Sequence, residues 1–560
     1  MGRNVAIMDL GSNSARLALM EVYEDRSYRL VSELREPLRL AQHLSDEWLL
    51  SDEAAETTVA AAAGFARYCE SHGVEEVRAV ATSAVRSARN GPDLVARIQA
   101  ETGLSFDIIS GEQEALYGYV GVVNTLDVAN CMVLDVGGGS AEVVRVEGRR
   151  AVEVTSLPLG AISLTNGFLD TGKLAPEKVR RLERYVADAY GRVSWIGHHA
   201  ARNLIQSAFA SGQPKGRPGR RAPSPPDAEN VLVGLGGTVR AIARMYKREV
   251  GYPLELLHGM SVPVSYVGEA YQKLRSMTLQ QRREVPGVSS ARADIIVAGV
   301  AAVYGFACVM DADRLVVSGR GLRDGVLLSL LLGGDARAPL LEDPGEMGAR
   351  SIMRRMEVNQ PHAEQIAHLA LALFDQLADV HRLGPRERRL LRLAALLHDV
   401  GSAISFYNHD EHGFYLLTRT GIDGLPHCDL ALVAYLVAAH ARDISVLKRW
   451  PEFRPLLEGG DEAAITPLAG ILRFCELLER TESGNARSLH ARRSPDGGPI
   501  TLRAVVAKGT EFELKDAKPA AAELGRGLGV PVSLEVVVSS MVQPAGDSPP
   551  PGGQGSPGAR

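Results

Sequence analysis

The feature that most limits how this 560-residue chain can fold is an acidic, glycine-containing hairpin that occurs twice. VAIMDLGSNSARLALMEV (residues 5–22) and CMVLDVGGGSAEVVRV (131–146) each place an aspartate after an apolar strand, a glycine two residues later and a serine five residues later. A second apolar strand follows in both segments. Two copies in matching register indicate an internal repeat, whereas one copy would be an ordinary tight turn. The sequence therefore predicts two related halves that each contain the same hairpin.

The residues of both turns are suited to binding phosphate. Glycine lets backbone N–H groups approach an anion closely, and successive N–H groups in a turn form an anion-binding nest. The aspartate at each strand end, Asp9 or Asp135, can bind magnesium or its water ligands. Two such loops facing each other would clamp a phosphate chain. The predicted phosphate-binding residues are those of the two turns: Gly11, Ser12, Asn13, Ser14, Gly137, Gly138, Gly139 and Ser140.

Two further glycine turns follow strand-like runs and precede helical ones. VLVGLGGTVRAIARM (231–245) offers N–H groups at a helix N-terminus to an anion. VVSGRGLRDGVLLSLL (316–331) has the same pattern, and we expect it to return the chain to the first half. For this second turn, a packing role and a ligand role remain alternatives.

The spacing of apolar residues changes along the chain and indicates its domains. Strand-like runs alternate with amphipathic helical patterns to about residue 335, which is typical of an α/β fold. From residue 342 the spacing is helical, and after Pro499 two strand-like runs flank one helix. The predicted parts are an α/β domain I (1–127), an α/β domain II (128–335) with a disordered Pro/Gly/Ser-rich insertion (211–227), an all-α domain (342–495), a small α/β appendage (496–542) and a disordered tail (543–560).

Composition excludes several classes of protein. The 62 basic and 67 acidic residues give a net charge of −5, which argues against a histone-like basic partner protein. The longest uncharged run, 295–310, is shorter than the ~18 apolar residues of a membrane span and predicts a buried helix. The five cysteines lie far apart, and the N-terminus lacks the apolar core of a secretion signal. We expect a cytoplasmic protein with neither nucleic acid nor membrane as a partner.

Five motifs in a fixed order resemble the exopolyphosphatase / guanosine pentaphosphate phosphohydrolase family of the actin, Hsp70 and sugar-kinase superfamily. They are the two repeated loops, ATSAVRSARN (81–90), ISGEQEALYGYVGV (109–122) and SGRGLRDG (318–325). The resemblance covers residues 1–335 and, more loosely, the helical domain. It implies two ribonuclease-H-like (actin-like ATPase) domains, an all-α HD-like domain and a β-α-β appendage.

The resemblance also implies a reaction, the removal of a terminal phosphate from a phosphoanhydride by water with Mg²⁺ (or Mn²⁺). The family's catalytic carboxylate lies in the segment that matches SGEQEA, so we expect Glu114 to be the general base, with Glu112 as the alternative. Arg86 matches a phosphate-contacting arginine of the family, and a guanidinium there would neutralise charge on the phosphate.

The metal ligands implied by the resemblance are the carboxylates of Asp9, Asp135 and Glu142. One position departs from the family pattern, because Ala141 stands where the family usually has threonine. One hydroxyl donor to phosphate or metal-bound water is therefore absent. We expect slower chemistry at most, since Glu142 is retained.

The helical domain resembles the HD phosphohydrolase fold, in which a histidine, a His-Asp pair and a later aspartate bind metal. The residues that match this pattern form a second candidate metal site: His362, His398, Asp399 and Glu476, with Glu476 in place of the last aspartate. His412 and His440 follow on later segments. The family's version of this domain is often described as metal-free. We therefore favour a platform for dimerisation and for binding long chains over a second hydrolase.

Two substrates are compatible with the predicted site, inorganic polyphosphate and the stringent-response nucleotide guanosine pentaphosphate. Polyphosphate needs a long basic channel, which arginines at 354–355, 386–392 and 492–493 could line, and this favours an exopolyphosphatase. Only nine of the 62 basic residues are lysines, so 53 are arginines and each arginine cluster carries little weight. A kinase of the same superfamily and a non-catalytic polyphosphate or alarmone sensor are further alternatives. The segment around Glu114 and the intact carboxylates argue against both, and we expect a homodimeric hydrolase.

Overall fold

A computed structural model describes residues 2–45, 47–169, 174–196, 199–211, 231–333, 337, 341–441, 445–494, 498–507 and 511–539. The predicted insertion (211–227) lies outside the described residues except for Ser211, and the predicted tail (543–560) lies outside them entirely. Within the described residues, no helix combines the length and the apolarity needed to cross a bilayer. All five cysteines are free thiols.

The first sheet is built around the first repeated hairpin. Its five strands have the spatial order β3-β2-β1-β4-β5, with β1 antiparallel to β2 and parallel to β4. Helix α1 packs on α3, and apolar side chains of both helices and of the sheet form one core. The elements are β1 (Arg3–Leu10), β2 (Ser14–Val22), β3 (Tyr28–Pro37), α1 (Asp52–Ser71), β4 (Glu76–Ala81), α2 (Ser83–Ser87), α3 (Gly91–Thr102), β5 (Asp107–Ile108) and α4 (Gly111–Val123).

The second sheet repeats this arrangement around the second hairpin. Its order is β10-β11-β9-β6-β7-β8, with β6 antiparallel to β7 and parallel to β9. The elements are β6 (Cys131–Val136), β7 (Ala141–Glu147), β8 (Arg150–Leu157), α5 (Ala161–Phe168), α6 (Pro176–Gly191), α7 (His199–Ser211), β9 (Leu232–Leu235), α8 (Gly236–Val250), β10 (Ser261–Pro263), α9 (Val264–Ser276), α10 (Leu279–Glu284), α11 (Ile296–Val309), β11 (Arg314–Val317) and α12 (Leu322–Leu332). Helix α11 lies in the predicted uncharged run and is buried as expected.

Two helices cross between the halves. Helix α4 contacts β6, β7 and β8 of the second sheet, although it follows the first sheet in the chain. Helix α12 packs on α4 and on β1, so the fourth glycine turn does return the chain to the first half. The two sheets are thereby tied together at the side where the repeated loops lie.

The helical domain contains eight α-helices and two short 3-10 helices (Val400–Ala403 and Pro451–Leu456) in its described residues, and one large apolar core. Arg320, in the loop before α12, donates two hydrogen bonds of 2.9 and 3.0 Å to the Asp423 carboxylate of this domain. The domain is therefore joined to the second half by a partly buried ion pair. Its helices are α13 (Pro344–Arg355), α14 (Gln360–Gln376), α15 (Ala378–His381), α16 (Pro385–Leu397), α17 (His409–Thr420), α18 (His427–Ala439), α19 (Val446–Arg449) and α20 (Asp461–Leu478).

The C-terminal appendage is a three-stranded sheet with one helix. Its elements are β12 (Ala486–Arg493), β13 (Ile500–Ala507), α21 (Glu511–Leu528) and β14 (Val532–Ser539). The β-α-β unit expected after Pro499 is present, with β13 parallel to β14. Strand β12 precedes it and was not predicted, because the run ARSLHARR has too few apolar residues to read as a strand. Alternate residues of β13 are buried, and α21 packs on α20.

Candidate active site

The two repeated hairpins have the same turn. The Gly11 N–H donates to the Ser14 carbonyl at 3.2 Å, and the Gly137 N–H donates to the Ser140 carbonyl at 3.0 Å. Each aspartate is the second-last residue of its strand and pairs across the hairpin with a charged residue. Asp9 lies opposite Arg16, whereas Asp135 lies opposite Glu142. The repeat is therefore conserved in backbone geometry and differs in charge.

The carbonyl groups of both turns are bound from outside the loops. Leu38 and Ala41 N–H groups donate to the Asn13 and Ser12 carbonyls at 3.2 and 3.1 Å. In the second loop, the first turn of α5 donates to the carbonyls of Gly137 and Gly138 at 3.0 and 2.9 Å. Four loop N–H groups have no acceptor among the described residues, those of Ser12, Asn13, Gly138 and Gly139. Two sets of free donors are therefore available to an anion.

Close approach explains why the second loop consists of glycines. A Cβ on Gly138 would lie 2.9 Å from Ser12 Cβ of the opposite loop, and one on Gly139 would lie 2.3 Å from Ser83 Oγ. The third glycine turn also approaches this point, because a Cβ on Gly236 would lie 2.8 Å from Asp135 Oδ1. Gly236 has a φ of +87°, a conformation that favours glycine. The absence of side chains at these glycines therefore lets the two repeated loops and the third glycine turn come close together.

A cleft of about 170 Å³ lies where these loops meet. Its walls include every residue of the predicted phosphate loops, together with the carboxylates of Asp9, Glu114, Asp135 and Asp324. It also includes four arginines that the sequence analysis missed: Arg16, Arg240, Arg292 and Arg323. Arg16, Arg240 and Arg323 lie inside glycine-turn segments that the sequence already singled out, and this was the signal that could have identified them.

Three of these arginines lack an acidic partner. Within the described part of the chain, no carboxylate oxygen lies within 4 Å of a guanidinium nitrogen of Arg16, Arg240 or Arg292. Burial, and then the charges of Arg240 and Arg16, lower the pKa of Arg292 to about 10. Burial also lowers the pKa of Arg16 and of Arg240. Unpaired cations that repel one another in a confined cleft are stabilised when a polyanion binds.

Glu114 is placed by the N-terminus of α4. Ser110 and Gln113 form a capping box that begins this helix, and Glu114 occupies its first turn. Burial raises the pKa of Glu114 to about 7, opposed by Arg86 and assisted by the charges of Asp135 and Asp9. Its carboxylate can therefore accept a proton near neutral pH. Glu112, the alternative base, is exposed and does not line the cleft.

Glu142 and Arg86 lie behind the cleft surface. Glu142 is only 2% exposed, and its Oε1 accepts a 2.8 Å hydrogen bond from the Ser156 hydroxyl. Burial, and then repulsion from Glu114 and Asp135, raises its pKa well above the usual value. The Arg86 guanidinium donates to Glu114 Oε2 and to the Ile109 carbonyl, both at 2.9 Å. Arg86 therefore orients Glu114 in this structure, whereas the sequence had suggested a direct phosphate contact.

The arginines expected to line a basic channel are mostly paired with carboxylates. Arg386 binds Asp429 and Asp461, and Arg389 binds Asp343. The same holds for Arg354 with Asp25, Arg388 with Asp375, Arg392 with Glu346 and Arg493 with Asp379. These ion pairs stabilise the helical domain and its contacts, so they do not provide a continuous basic surface.

Family models match most of the chain. The model described as "Ppx/GppA phosphatase family" matches residues 21–204 and 223–333, and the one described as "Ppx/GppA phosphatase, domain III" matches residues 346–518. The chain belongs to the Ppx/GppA phosphatase family. The expected family and the actin-like fold with a helical domain are thereby confirmed, and the chain is a phosphatase of the hydrolase class.

Solved structures of Ppx/GppA proteins resemble this one. An exopolyphosphatase from Cytophaga hutchinsonii is 19% identical, with a TM-score of 0.50 over 60% of this chain and 100% of that chain. A Ppx/GppA family member from Aquifex aeolicus is 27% identical, with a TM-score of 0.48 over 59% of this chain and 98% of that one. The first likeness shows the fold alone.

The predicted second metal site lies in the helical domain III of this Ppx/GppA protein. His362, His398 and Glu476 come together there, and Asp399 lies beside them. His440 lies in a second group with Asp399 and His409. His409 is the first residue of α17 and was not predicted from the sequence. His412, one turn further along α17, is not part of this cluster.

Proposed function

We propose that this phosphatase is an exopolyphosphatase, which hydrolyses the terminal phosphoanhydride of inorganic polyphosphate and releases orthophosphate. The observation that carries the proposal is the set of unpaired arginines, Arg16, Arg240 and Arg292, beside two loops with free N–H groups. A chain of phosphates supplies the closely spaced negative charges that such donors require.

The size and lining of the cleft favour polyphosphate over a nucleotide. Ligand pockets for drug-sized molecules are usually about 300–1,000 Å³, and this cleft is smaller, at about 170 Å³. Its described lining includes no aromatic side chain on which a base could stack. Guanosine pentaphosphate remains the second candidate, because the paired arginines of the helical domain offer little to a long chain and a short phosphate chain does not need them.

A divalent cation fits the carboxylates of the cleft. Burial raises the pKa of both Asp9 and Asp135, and among the described residues Asp9 has one cationic group within 4 Å, Arg323 Nε at 3.8 Å, while Asp135 has none. Mg²⁺ (or Mn²⁺) prefers such oxygen ligands, and Asp9 and Asp135 would hold it with Glu142 behind them. When bound, the cation would screen the charge of the substrate phosphates.

The remaining residues account for the chemistry. The two loops bind the oxygens of the terminal phosphate, and Glu114 accepts a proton from a water that attacks the phosphorus. The bond to the bridging oxygen breaks, and the shortened chain leaves with the negative charge. Arg16, Arg240 and Arg292 stabilise that charge, and Arg86 keeps the Glu114 carboxylate in position.

One assay with three substrates tests this function. Orthophosphate release is measured side by side with long polyphosphate, tripolyphosphate and guanosine pentaphosphate, in Mg²⁺ and in excess chelator. We expect the highest kcat/KM with polyphosphate and no release in chelator. Higher kcat/KM with guanosine pentaphosphate would identify the second candidate. Undiminished release in chelator would exclude the role given to the cation.

A further inference from the structure

Six metal-binding side chains meet in the core of domain III. They are four histidines and two carboxylates from five helices or helix ends: His362, His398, Asp399, His409, His440 and Glu476. They form two groups of three, and the ligand atoms of each group lie within 4.8 Å of one another. The cluster lies outside the phosphatase cleft, and none of its members lines that cleft.

The first group has the spacing of ligands around one ion. His398 Nε2 and His362 Nε2 lie 3.1 and 3.2 Å from Glu476 Oε2, and Asp399 Oδ2 lies 3.3 Å from His398 Nε2. Ligand atoms bound at about 2.0–2.2 Å to one ion are separated by about 2.8–3.6 Å. The three short distances therefore match a common ion.

The second group uses the other oxygen of the same aspartate. Asp399 Oδ1 lies 3.4 Å from His409 Nε2 and 4.0 Å from His440 Nε2, and these two nitrogens are 2.9 Å apart. Oδ2 faces the first group and Oδ1 faces the second. This is the geometry of a carboxylate that bridges two ions.

Backbone hydrogen bonds fix the tautomers of three histidines. The Nδ1 atoms of these histidines lie beside backbone carbonyls: His398 with Ala395 at 2.8 Å, His409 with Phe406 at 3.1 Å and His440 with Val437 at 2.5 Å. Because a carbonyl only accepts, each Nδ1 carries a proton, and the lone pair of the neutral imidazole then lies at Nε2. Such second hydrogen bonds are typical of metal-binding histidines.

These lone pairs oppose one another without a cation. In this tautomer, the Nε2 atoms of His409 and His440 face each other as two acceptors at 2.9 Å. His398 Nε2 is fully buried, and carboxylate oxygens of Glu476 and Asp399 lie 3.1 and 3.3 Å from it. Positive charge between these atoms removes the repulsion.

A large cavity opens onto the cluster. It has a volume of about 1100 Å³, and its walls include Asp399, His409, His440 and Glu476. Arg473 also lines it, with its Nη1 3.0 Å from Glu523 Oε2 and a buried Nε that has no hydrogen-bond partner. A ligand in this cavity would contact both ions and a guanidinium, which together favour an anion with several oxygens.

We propose that the six residues bind two divalent transition-metal ions bridged by Asp399, and that the cavity beside them binds a phosphate-bearing compound. Four imidazoles favour Fe²⁺ or Zn²⁺ over Mg²⁺, which prefers sites made only of oxygen, and the two carboxylates also suit Mn²⁺. This site is independent of the exopolyphosphatase activity, so either proposal can fail alone. It also differs from the sequence-based preference for a domain without metal.

Metal content and spin coupling test the centre in the full-length protein. The protein is loaded with Mn²⁺ and desalted, and bound manganese is measured together with the EPR spectrum. We expect Asp399→Ala to bind about two ions fewer per chain than wild type, since both sites share this ligand. The wild-type spectrum should show an exchange-coupled pair. His368→Ala is the matched control, because His368 is exposed on α14, the helix that carries His362.

Three results would overturn the proposal. Equal manganese content in wild type and Asp399→Ala would exclude the centre, and a wild-type spectrum of isolated ions alone would exclude the bridge. The spectrum decides the question even if Asp399→Ala does not fold. For the ligand, inorganic phosphate should perturb the coupled spectrum and should be needed at higher concentration in Arg473→Gln. A coupled spectrum unaffected by phosphate would exclude the phosphate-bearing ligand.

Discussion

The two repeated hairpins share a backbone and differ in the residue that faces their aspartate. Arg16 lies opposite Asp9 in the register of the first hairpin, and Glu142 lies opposite Asp135 in that of the second. The first hairpin therefore places an acidic and a basic side chain opposite each other, whereas the second places two acidic side chains opposite each other. Since cations and phosphates need opposite surroundings, we expect the second hairpin to contribute more to holding the cation and the first to contribute more to binding phosphate.

The largest expected loss of activity comes from substituting Asp135 in the second hairpin. We expect Asp135→Asn to lower kcat by about 1000-fold and to raise the Mg²⁺ concentration needed for half-maximal activity, because the cation loses a charged ligand. Asp9→Asn is the matched variant in the first hairpin. Its metal requirement should change less, since Arg16 already offsets Asp9. Phosphate release over a series of Mg²⁺ concentrations measures both, and equal shifts would contradict the division of roles.

Removing the arginine of the first hairpin should have a smaller and different effect. We expect Arg16→Gln to lower kcat/KM by about 10- to 100-fold, which is the usual loss for one charge-assisted hydrogen bond. The Mg²⁺ requirement should stay at its wild-type value. Arg35→Gln is a suitable control. Arg35 lies opposite Arg16 in the register of β2 and β3 but does not line the cleft. A raised Mg²⁺ requirement in Arg16→Gln would contradict the comparison.

The pH dependence of kcat/KM tests how the charges around Glu114, including Asp9 and Asp135 of the two hairpins, set its pKa. Glu114 must be ionised to accept a proton, and its pKa is about 7, so kcat/KM should fall as the pH drops through about 7. Arg86 lowers this pKa, so Arg86→Gln should move the acidic limb to higher pH, by about one unit. A profile that does not move would show that Arg86 acts elsewhere. Arg89→Gln, three residues away, controls for loss of surface charge.

The fold could be predicted further than the site. The matching Asp-x-Gly turns predicted both sheets, and the change of apolar spacing at residue 342 predicted the helical domain. The local sequence pattern was sufficient to predict the two hairpins, because each hairpin forms from residues that are close together in the chain. The crossing of α4 onto the second sheet depends on contacts between distant segments, which no local pattern contains.

The cleft arginines and His409 were not predicted from the sequence, because their positions depend on tertiary packing. Arg240 and Arg292 lie 52 positions apart in the sequence and meet only through tertiary packing. With 53 arginines in the chain, composition could not single them out. His409 and His412 lie nearly one helical turn apart, and the start of α17 after Asn408 decides that His409 faces the cluster. That boundary depends on a left-handed residue, with φ +59° at Asn408.

The most direct measurement of the central claim is single-turnover release of orthophosphate from polyphosphate by Glu114→Gln and Glu112→Gln. We predict that Glu114→Gln loses about 100-fold or more in rate while it still binds substrate, because the amide keeps the shape and cannot accept the proton. Glu112→Gln should stay near wild type, since Glu112 is exposed outside the cleft. A near-wild-type rate in Glu114→Gln together with a collapse in Glu112→Gln would contradict the account.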